Sequence, residues 1–308
     1  MRVLVLLSTY NGNQYIREQI ETILNQEAVT VGLLIRDDGS EENFIKSLKE
    51  YEKYGNVKIY YESNIGCAWS FLKLVDYAYD RIEEYDYFAF SDQDDVWLPE
   101  KLRIACDVLK KMDGKRPCMY CSNVQAVDAQ LNIIGTRWDK DETFITKPQS
   151  LVCSMSHGCT MLFNRKVIEM YHDYPPQRVN LHDLWIMHMC MFFGEIYYDN
   201  NPYILYRQHG NNVLGAKNTA AAKMKSRWKS LHTLPKQHNN EIEAKEMLKV
   251  YNDILTKEDK EMIGIVADYR NSFLNRLKFL FGIGNNCGKI RRKKDNLWLY
   301  MRILLGTV

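Results

Sequence analysis

Tyr87-Phe-Ala-Phe-Ser-Asp-Gln-Asp-Asp-Val-Trp-Leu-Pro99 changes character twice within a few residues. It begins as an apolar run, passes into an acidic cluster, and ends on a proline. A short apolar run bounded by turn residues reads as a buried strand, and proline is well suited to the first turn of a helix, where its missing N–H is no loss. The stretch therefore predicts strand, acidic turn and helix in succession.

The same unit recurs upstream. Arg2-Val-Leu-Val-Leu-Leu-Ser8 is a continuous apolar run, followed by Asn11-Gly12 and by Ile16, Ile20, Ile23 and Leu24 at helical spacing. Residues 31–36 lead into Asp37-Asp38-Gly39-Ser40 and a helix through Tyr51. Residues 57–61 lead into Asn64-Ile65-Gly66 and a helix through Tyr79. Strands alternating with helices imply a parallel sheet covered on both faces, and open sheets of this kind bind ligands beyond the carboxyl ends of their strands. The polar and acidic turns after strands one, two and four fall at those ends.

After residue 117 the pattern shifts to shorter strand-like pieces at 119–124, 160–163 and 196–198, with a helix over 182–193. This predicts a mixed-sheet extension that completes a pocket. From Ala220 the chain is helix-prone and rich in charge. We divide it into a main domain at 1–217, with halves at 1–117 and 118–217, and a helical, basic-amphipathic extension at 218–308.

The 308 residues carry 41 Lys and Arg against 39 Asp and Glu, a formal charge of +2, which argues against a nucleic-acid-coating protein. Eight cysteines lie mostly in apolar segments, as reduced buried thiols do. Cys118-x-x-Cys121 has metal-ligand spacing but no second pair, and a strand explains it better. No leader pattern and no run of about 18 apolar residues is present, so the expected location is the cytoplasm or the inner face of the plasma membrane. Within 270–308, apolar and basic residues alternate at helical spacing. That pattern suits an anionic membrane surface, and equally suits packing on the catalytic domain or on a second subunit of a homodimer.

Asp92, Asp94 and Asp95 follow a strand whose burial would crowd like charges, a situation that a divalent cation such as Mg²⁺ or Mn²⁺ relieves. A solvated turn capping the helix at Pro99 is the plain alternative. Asp37 and Asp38 precede glycine as ordinary turn aspartates do, yet beside the first acidic turn a carboxylate there can accept the imide N–H of uracil or thymine. Asp183, next to His182 and ahead of Trp185, reads either as a helix cap or as a general base for a sugar hydroxyl. His209 sits before glycine and two asparagines, where a loop histidine can complete a metal site.

Taken in order, Ser8-Thr-Tyr-Asn-Gly12, Ile35-Arg-Asp-Asp-Gly-Ser40, Ser91-Asp-Gln-Asp-Asp-Val-Trp-Leu-Pro99, His182-Asp183 and the string Tyr206 to Gly215 resemble the family-two inverting glycosyltransferases of GT-A type. The third and fifth strings are most similar to bacterial rhamnosyltransferases of cell-wall and capsular polysaccharide assembly. The resemblance covers residues 1–217 and implies a catalytic domain there, with a nucleotide-binding half at 1–117 and an acceptor and base half at 118–217. The implied fold is α/β, a Rossmann-like nucleotide-diphospho-sugar transferase sandwich with a mixed central sheet and a helical C-terminal extension. It implies donor and nucleotide contacts at Ser8, Thr9, Tyr10, Asp37, Asp38, Asp92 and Gln93. It places the metal at Asp92, Asp94 and His209, the base at Asp183, and acceptor or sugar contacts at Asp95, Trp97, His182 and Trp185.

The implied activity is transfer of one sugar, L-rhamnose from dTDP-rhamnose or else a hexose from a UDP donor, to a saccharide or lipid-linked saccharide. Many relatives carry Glu-Asp where this chain has His182-Asp183. The glutamine of the Q-x-x-R-W motif of processive synthases is missing ahead of Arg227-Trp228. Two rivals are a nucleotidyltransferase, disfavoured because no Lys or Arg follows the first strand until Arg17, and a non-catalytic scaffold at the membrane face, disfavoured by the intact carboxylates.

Overall fold

A computed structural model of the chain describes residues 1–136, 146–152, 154, 156–208, 239–283 and 293–307. His209, Arg227 and Trp228 lie outside the described residues. The chain forms two compact units, one of residues 1–143, 156–173 and 181–209, the other of 144–155, 174–180 and 210–308. The first unit ends at 209, and two short internal segments belong to the second.

The first unit is built on a nine-stranded sheet: β1 (Arg2–Thr9), β2 (Thr30–Asp38), β3 (Val57–Glu62), β4 (Tyr87–Ser91), β5 (Val96–Trp97), β6 (Cys118–Val127), β7 (Ile133–Thr136), β8 (Leu162–Asn164) and β9 (Glu195–Arg207). The order is β3-β2-β1-β4-β8-β6-β9-β5, with β7 beside β6. β1 to β4 pair in parallel, β8 runs antiparallel between β4 and β6, and β9 returns parallel to β6. The fold is a mixed α/β sheet of GT-A type.

Val3 to Leu7 of β1 and Leu33 to Ile35 of β2 are sealed on both faces, which is why these strands are continuously apolar rather than alternating. Helix α1 (Ile16–Leu24) buries Ile16, Ile20 and Ile23; α2 (Glu42–Leu48) buries Leu48; α3 (Cys67–Tyr79) buries Phe71, Leu72, Leu74, Val75 and Ala78; α4 (Lys101–Leu109) buries Leu102, Ala105, Cys106 and Leu109. Two of these stripes follow the i, i+3, i+4 spacing of a helix with one buried face.

In chain order, α5 (Lys147–Ser150) belongs to the second unit, and α6 (Arg165–Asp173) and α7 (His182–Phe193) to the first. Helix α7 is apolar nearly all round, with Leu184, Trp185, Ile186, Met187, Met189 and Cys190 buried, as suits a helix inside the fold. It stops at Gly194, where a Cβ would come within 1.7 Å of the Pro117 carbonyl oxygen, so no larger residue fits.

β9 is much longer than the 196–198 expected. It gains ladder bonds from β6 on one side and from β5 on the other, Val96 standing opposite Leu205 and Trp97 opposite Ile204. The pairing, rather than the strand's own modest apolar content, carries it through Tyr206 and Arg207.

In the second unit, α5, α8 (Asn239–Val250), α9 (Lys257–Asp268), α10 (Phe273–Lys278), a π-helical turn (Phe279–Ile283) and α11 (Lys293–Leu305) gather around Met247, Tyr251, Ile263, Val266, Tyr269 and Phe279. Thr146 and Gln149 form a reciprocal capping box on α5, and Thr256 caps α9 through the Asp259 N–H at 3.1 Å. Lys147 Nζ holds both carboxylate oxygens of Asp259 at 2.9 Å. No helix among the described residues is long and apolar enough to cross a membrane.

Candidate active site

The register of the parallel strands decides where the polar turns meet. Thr9 stands opposite Asp37 across β1 and β2, and Leu7 opposite Ser91 across β1 and β4. The turns after β1, β2 and β4 therefore open at one edge of the sheet, with β1 between neighbours that lead away in opposite directions, a topological switch point.

Gln93 ties two of these turns together. Its Oε1 accepts from Thr9 Oγ1 at 2.7 Å and from the Tyr10 N–H at 2.9 Å, while its Nε2 donates to the Tyr10 carbonyl at 3.3 Å. The Tyr10 ring is half exposed beside them. Asn11, at φ 46°, accepts from the Glu41 N–H and donates its own N–H to Ser40 Oγ, joining the first turn to the second.

Beneath lies a buried polar chain. Ser8 Oγ and Ser70 Oγ are 2.5 Å apart, and Arg36 donates to Ser70 Oγ at 2.9 Å, to Asp38 Oδ1 at 2.5 Å, to Glu62 at 2.8 Å and to the Ser63 carbonyl at 2.9 Å. Asp38 also accepts the Ile65 and Gly66 N–H groups at 2.8 and 3.0 Å. One oxygen of the buried Asp37 carboxylate accepts from the Ser40 N–H at 3.0 Å, and the other has no partner among the described residues. Burying an acceptor without a donor is costly, so this oxygen is a point of unmet hydrogen bonding in the wall of the turn.

The acidic turn after β4 divides in two. Asp92 and Asp94 are half-buried, whereas Asp95 is fully buried. Burial, and then the charges of Asp94 and Asp183, push the Asp92 carboxyl up to about 7. Burial and the charges of Asp94 and Asp92 hold Asp95 well above the usual carboxylate range. Asp95 Oδ1 accepts the Arg207 N–H at 3.2 Å.

Asp92, Asp95 and Cys159 place ligand atoms within 4.8 Å of one another. Lys101 is buried nearby, its ammonium 3.5 Å from the Trp97 ring centre and without a hydrogen-bond partner among the described residues, and burial lowers it to about 7. Carboxylates crowded in this way, each disfavoured as an anion by its neighbours, fit a hard divalent cation as counter-charge.

Asp183 opens α7. One carboxylate oxygen accepts the Gly158 N–H at 3.2 Å and the other the Leu184 N–H at 2.8 Å. His182 stacks on Phe71 at 3.9 Å between ring centres and meets Phe90 edge-on at 4.9 Å, and burial lowers it to about 3. Cys67 is exposed at the start of α3, and its thiol is raised to about 12, by desolvation first and then by the charges of Asp92, Asp183 and Asp38. Carboxylates from three distant parts of the chain thus lie within electrostatic reach of one thiol.

Ser8, Thr9, Tyr10, Asp37, Asp38, Asp92, Gln93, Asp94 and Asp183 are all found at this edge. Asp95, Trp97, His182 and Trp185, which the resemblance suggests as acceptor or sugar contacts, are between 0 and 6% exposed. In this structure they are enclosed to the same degree as Thr9, Asp37 and Asp38. Sequence reading missed Cys67, Ser70, Cys159, Lys101 and Arg207. Arg207 bonds Glu18, donates to the Ala129 carbonyl at 3.1 Å and stacks 4.3 Å over Tyr15. A signal for Lys101 existed, because a lysine on the buried side of an amphipathic helix needs an explanation. The two cysteines carried none.

The comparisons with known proteins agree with this geometry. A dTDP-rhamnosyl transferase, RfbG, of Shigella flexneri is 26% identical over 97% of this chain and 99% of its own. A putative teichuronic acid biosynthesis glycosyltransferase, TuaG, of Bacillus subtilis is 30% identical over 48% of this chain and 54% of its own. Among solved structures, S. aureus TarS 1–349 superposes with a TM-score of 0.58 at 15% identity, covering 100% of this chain and 81% of that one. The glycosyl transferase family 2 profile matches residues 4–171, which include the turns at Asp37-Asp38 and Asp92 to Asp95 but not Asp183, and the chain belongs to that family.

Proposed function

We propose that this protein transfers a single sugar, with inversion, from a nucleotide-diphospho-sugar to a saccharide or lipid-linked saccharide in bacterial surface polysaccharide synthesis, with dTDP-rhamnose as the first donor to test. The strand register carries the reading, since it opens the turns that hold Tyr10, Asp38 and Asp92 side by side at one edge of the sheet. Support for rhamnose comes from the Shigella relative, whose similarity runs nearly end to end.

In this reading the nucleotide base sits over the turn at Asp37 and Asp38, beside Tyr10. Asp92 and Asp94, with His209, would hold the divalent cation, Mg²⁺ or Mn²⁺, which when bound supplies positive charge against the donor's diphosphate. Asp183 takes the proton of the acceptor hydroxyl as that oxygen bonds to the anomeric carbon and the anomeric carbon–phosphate oxygen bond breaks. The Gly158 and Leu184 N–H groups fix the Asp183 carboxylate, and the His182 stack on Phe71 holds the start of α7 in place. A positioned general base contributes about 10² to 10⁴ in rate.

The test is a panel of dTDP-, UDP- and GDP-sugars with Mn²⁺ or Mg²⁺, scored for donor hydrolysis, which requires no acceptor. Release of free nucleoside diphosphate from dTDP-rhamnose is the expected result. Hydrolysis of a UDP-hexose alone would replace the donor, and release of pyrophosphate would replace the reaction.

A further inference from the structure

The C-terminal helices keep a second apolar side that the core does not use. Helix α11 buries Leu299 and Ile303 against its own unit, yet Leu297, Met301 and Leu305, spaced i, i+4 and i+8, stand exposed along it. The neighbouring α10 and π-helical turn expose Phe273, Leu274 and Phe281, each more than 60% open to solvent. The two helices are one packed piece: Arg276 Nη1 of α10 donates to the Leu304 carbonyl at 2.9 Å, and Arg302 closes the end of α11 on the Thr307 carbonyl. Soluble chains rarely leave large side chains exposed in such number on neighbouring elements without a partner for them.

Charge indicates which partner. Residues 270–308 contain nine Lys and Arg and one acid, a net of +8, within a chain whose total is +2, so the remaining residues carry −6. A two-fold contact between copies would bring this cationic segment against itself, which electrostatics opposes. An anionic lipid surface accepts both features at once: aromatic and aliphatic side chains enter the interface while lysine and arginine face the headgroups.

We propose that α10, the π-helical turn and α11 form a docking surface for an anionic membrane, with Phe273, Leu274, Phe281 and Leu297 as the inserting side chains. The inference stands apart from the reading of the reaction, because it rests on residues outside the catalytic unit and its test measures binding, not turnover. Should both hold, docking would bring the enzyme to a lipid-linked acceptor.

The full chain is sedimented with vesicles of phosphatidylcholine alone and of phosphatidylcholine containing about a third phosphatidylglycerol. The expected result is binding to the anionic vesicles only, with release as salt rises past the range where the Debye length is about 10 Å. The double variant Phe273→Ser, Leu297→Ser alters only exposed side chains; with unchanged circular dichroism and Tm, it should lose about tenfold or more of that binding. Failure of the wild-type chain to bind, or equal binding by the folded variant, overturns the proposal. So does self-association without vesicles that the variant abolishes, which would assign the face to a second copy.

Discussion

Arg36 and Asp38, two residues apart on β2, form an ion pair of 2.5 Å with both side chains sealed from solvent. The pair lies under the proposed base-binding turn, and the same guanidinium reaches Glu62 and Ser70. Asp38 is therefore a fixed part of the wall whose charge is already balanced, while the unpartnered oxygen of Asp37 is the acceptor with capacity to spare. That division of labour between adjacent aspartates was not visible from their order in the chain.

Breaking this pair from the cationic side leaves a buried carboxylate without its counter-charge. Arg36→Met should cost about 3 to 5 kcal/mol of stability, read from urea denaturation. Arg36→Lys should fall between the two, because an ammonium is a point charge and cannot span Asp38 and Glu62 as the planar fork does.

Asp183→Asn keeps the size of the side chain and removes its ability to take a proton. Turnover should fall by a factor on the order of 10² or more, with nucleotide affinity by calorimetry nearly unchanged. Near-normal turnover would remove Asp183 from the role of base.

Asp94→Ala removes a hard oxygen donor without opening the core. Metal-dependent binding of a nucleoside diphosphate should be lost while the protein stays folded, and turnover should fall by a factor on the order of 10² or more. Chelation of the wild-type enzyme should likewise abolish activity, and added Mn²⁺ or Mg²⁺ should restore it.

His182 lies in an aromatic pocket that holds it neutral, lowered to about 3 from an ordinary value of 6.5. The unfolded chain takes up this proton as pH falls through about 6.5, whereas the folded one resists until about 3. Stability from this residue is thus complete above pH 6.5 and declines between 6.5 and 3, by an amount on the order of a few kcal/mol. His182→Phe keeps the stack on Phe71 and should flatten that part of the Tm against pH curve.

At Gly158, a Cβ would lie 2.8 Å from His182 Nε2 and 3.4 Å from Asp183 Cβ. The histidine ring is held by Phe71 and Phe90 and has little room to yield. Gly158→Ala should cost about 1 to 3 kcal/mol of stability and lower turnover further by shifting Asp183. A melting curve and a kcat measurement on the same sample separate the two effects.

Much of the first half was legible because its elements announce themselves locally. β1 to β4 are apolar runs closed by Asn-Gly, Asp-Gly and Asp-rich turns, and the helices after them repeat at the helical period, so sheet, crossovers and the acid-bearing edge follow from the order of residues. β5 and most of β9 were not legible, since two residues at 96–97 hold a strand only through partners more than a hundred positions away. Ladder hydrogen bonds leave no local trace in a sequence.

The acidic turn shows the same boundary at one site. Sequence alone placed Asp92, Asp94 and Asp95 after an apolar strand at the ligand-binding end of a parallel sheet and left a cation site and a solvated helix-capping turn as its two readings. Tertiary structure alone decided how they divide: Asp95 turned inward to the Arg207 backbone and the region of Lys101 and Cys159, Asp92 within the influence of Asp183. The physical reason is that burial and electrostatic coupling depend on distances through space, and residues 92, 101, 159, 183 and 207 become neighbours only when β4, β9 and α7 pack together.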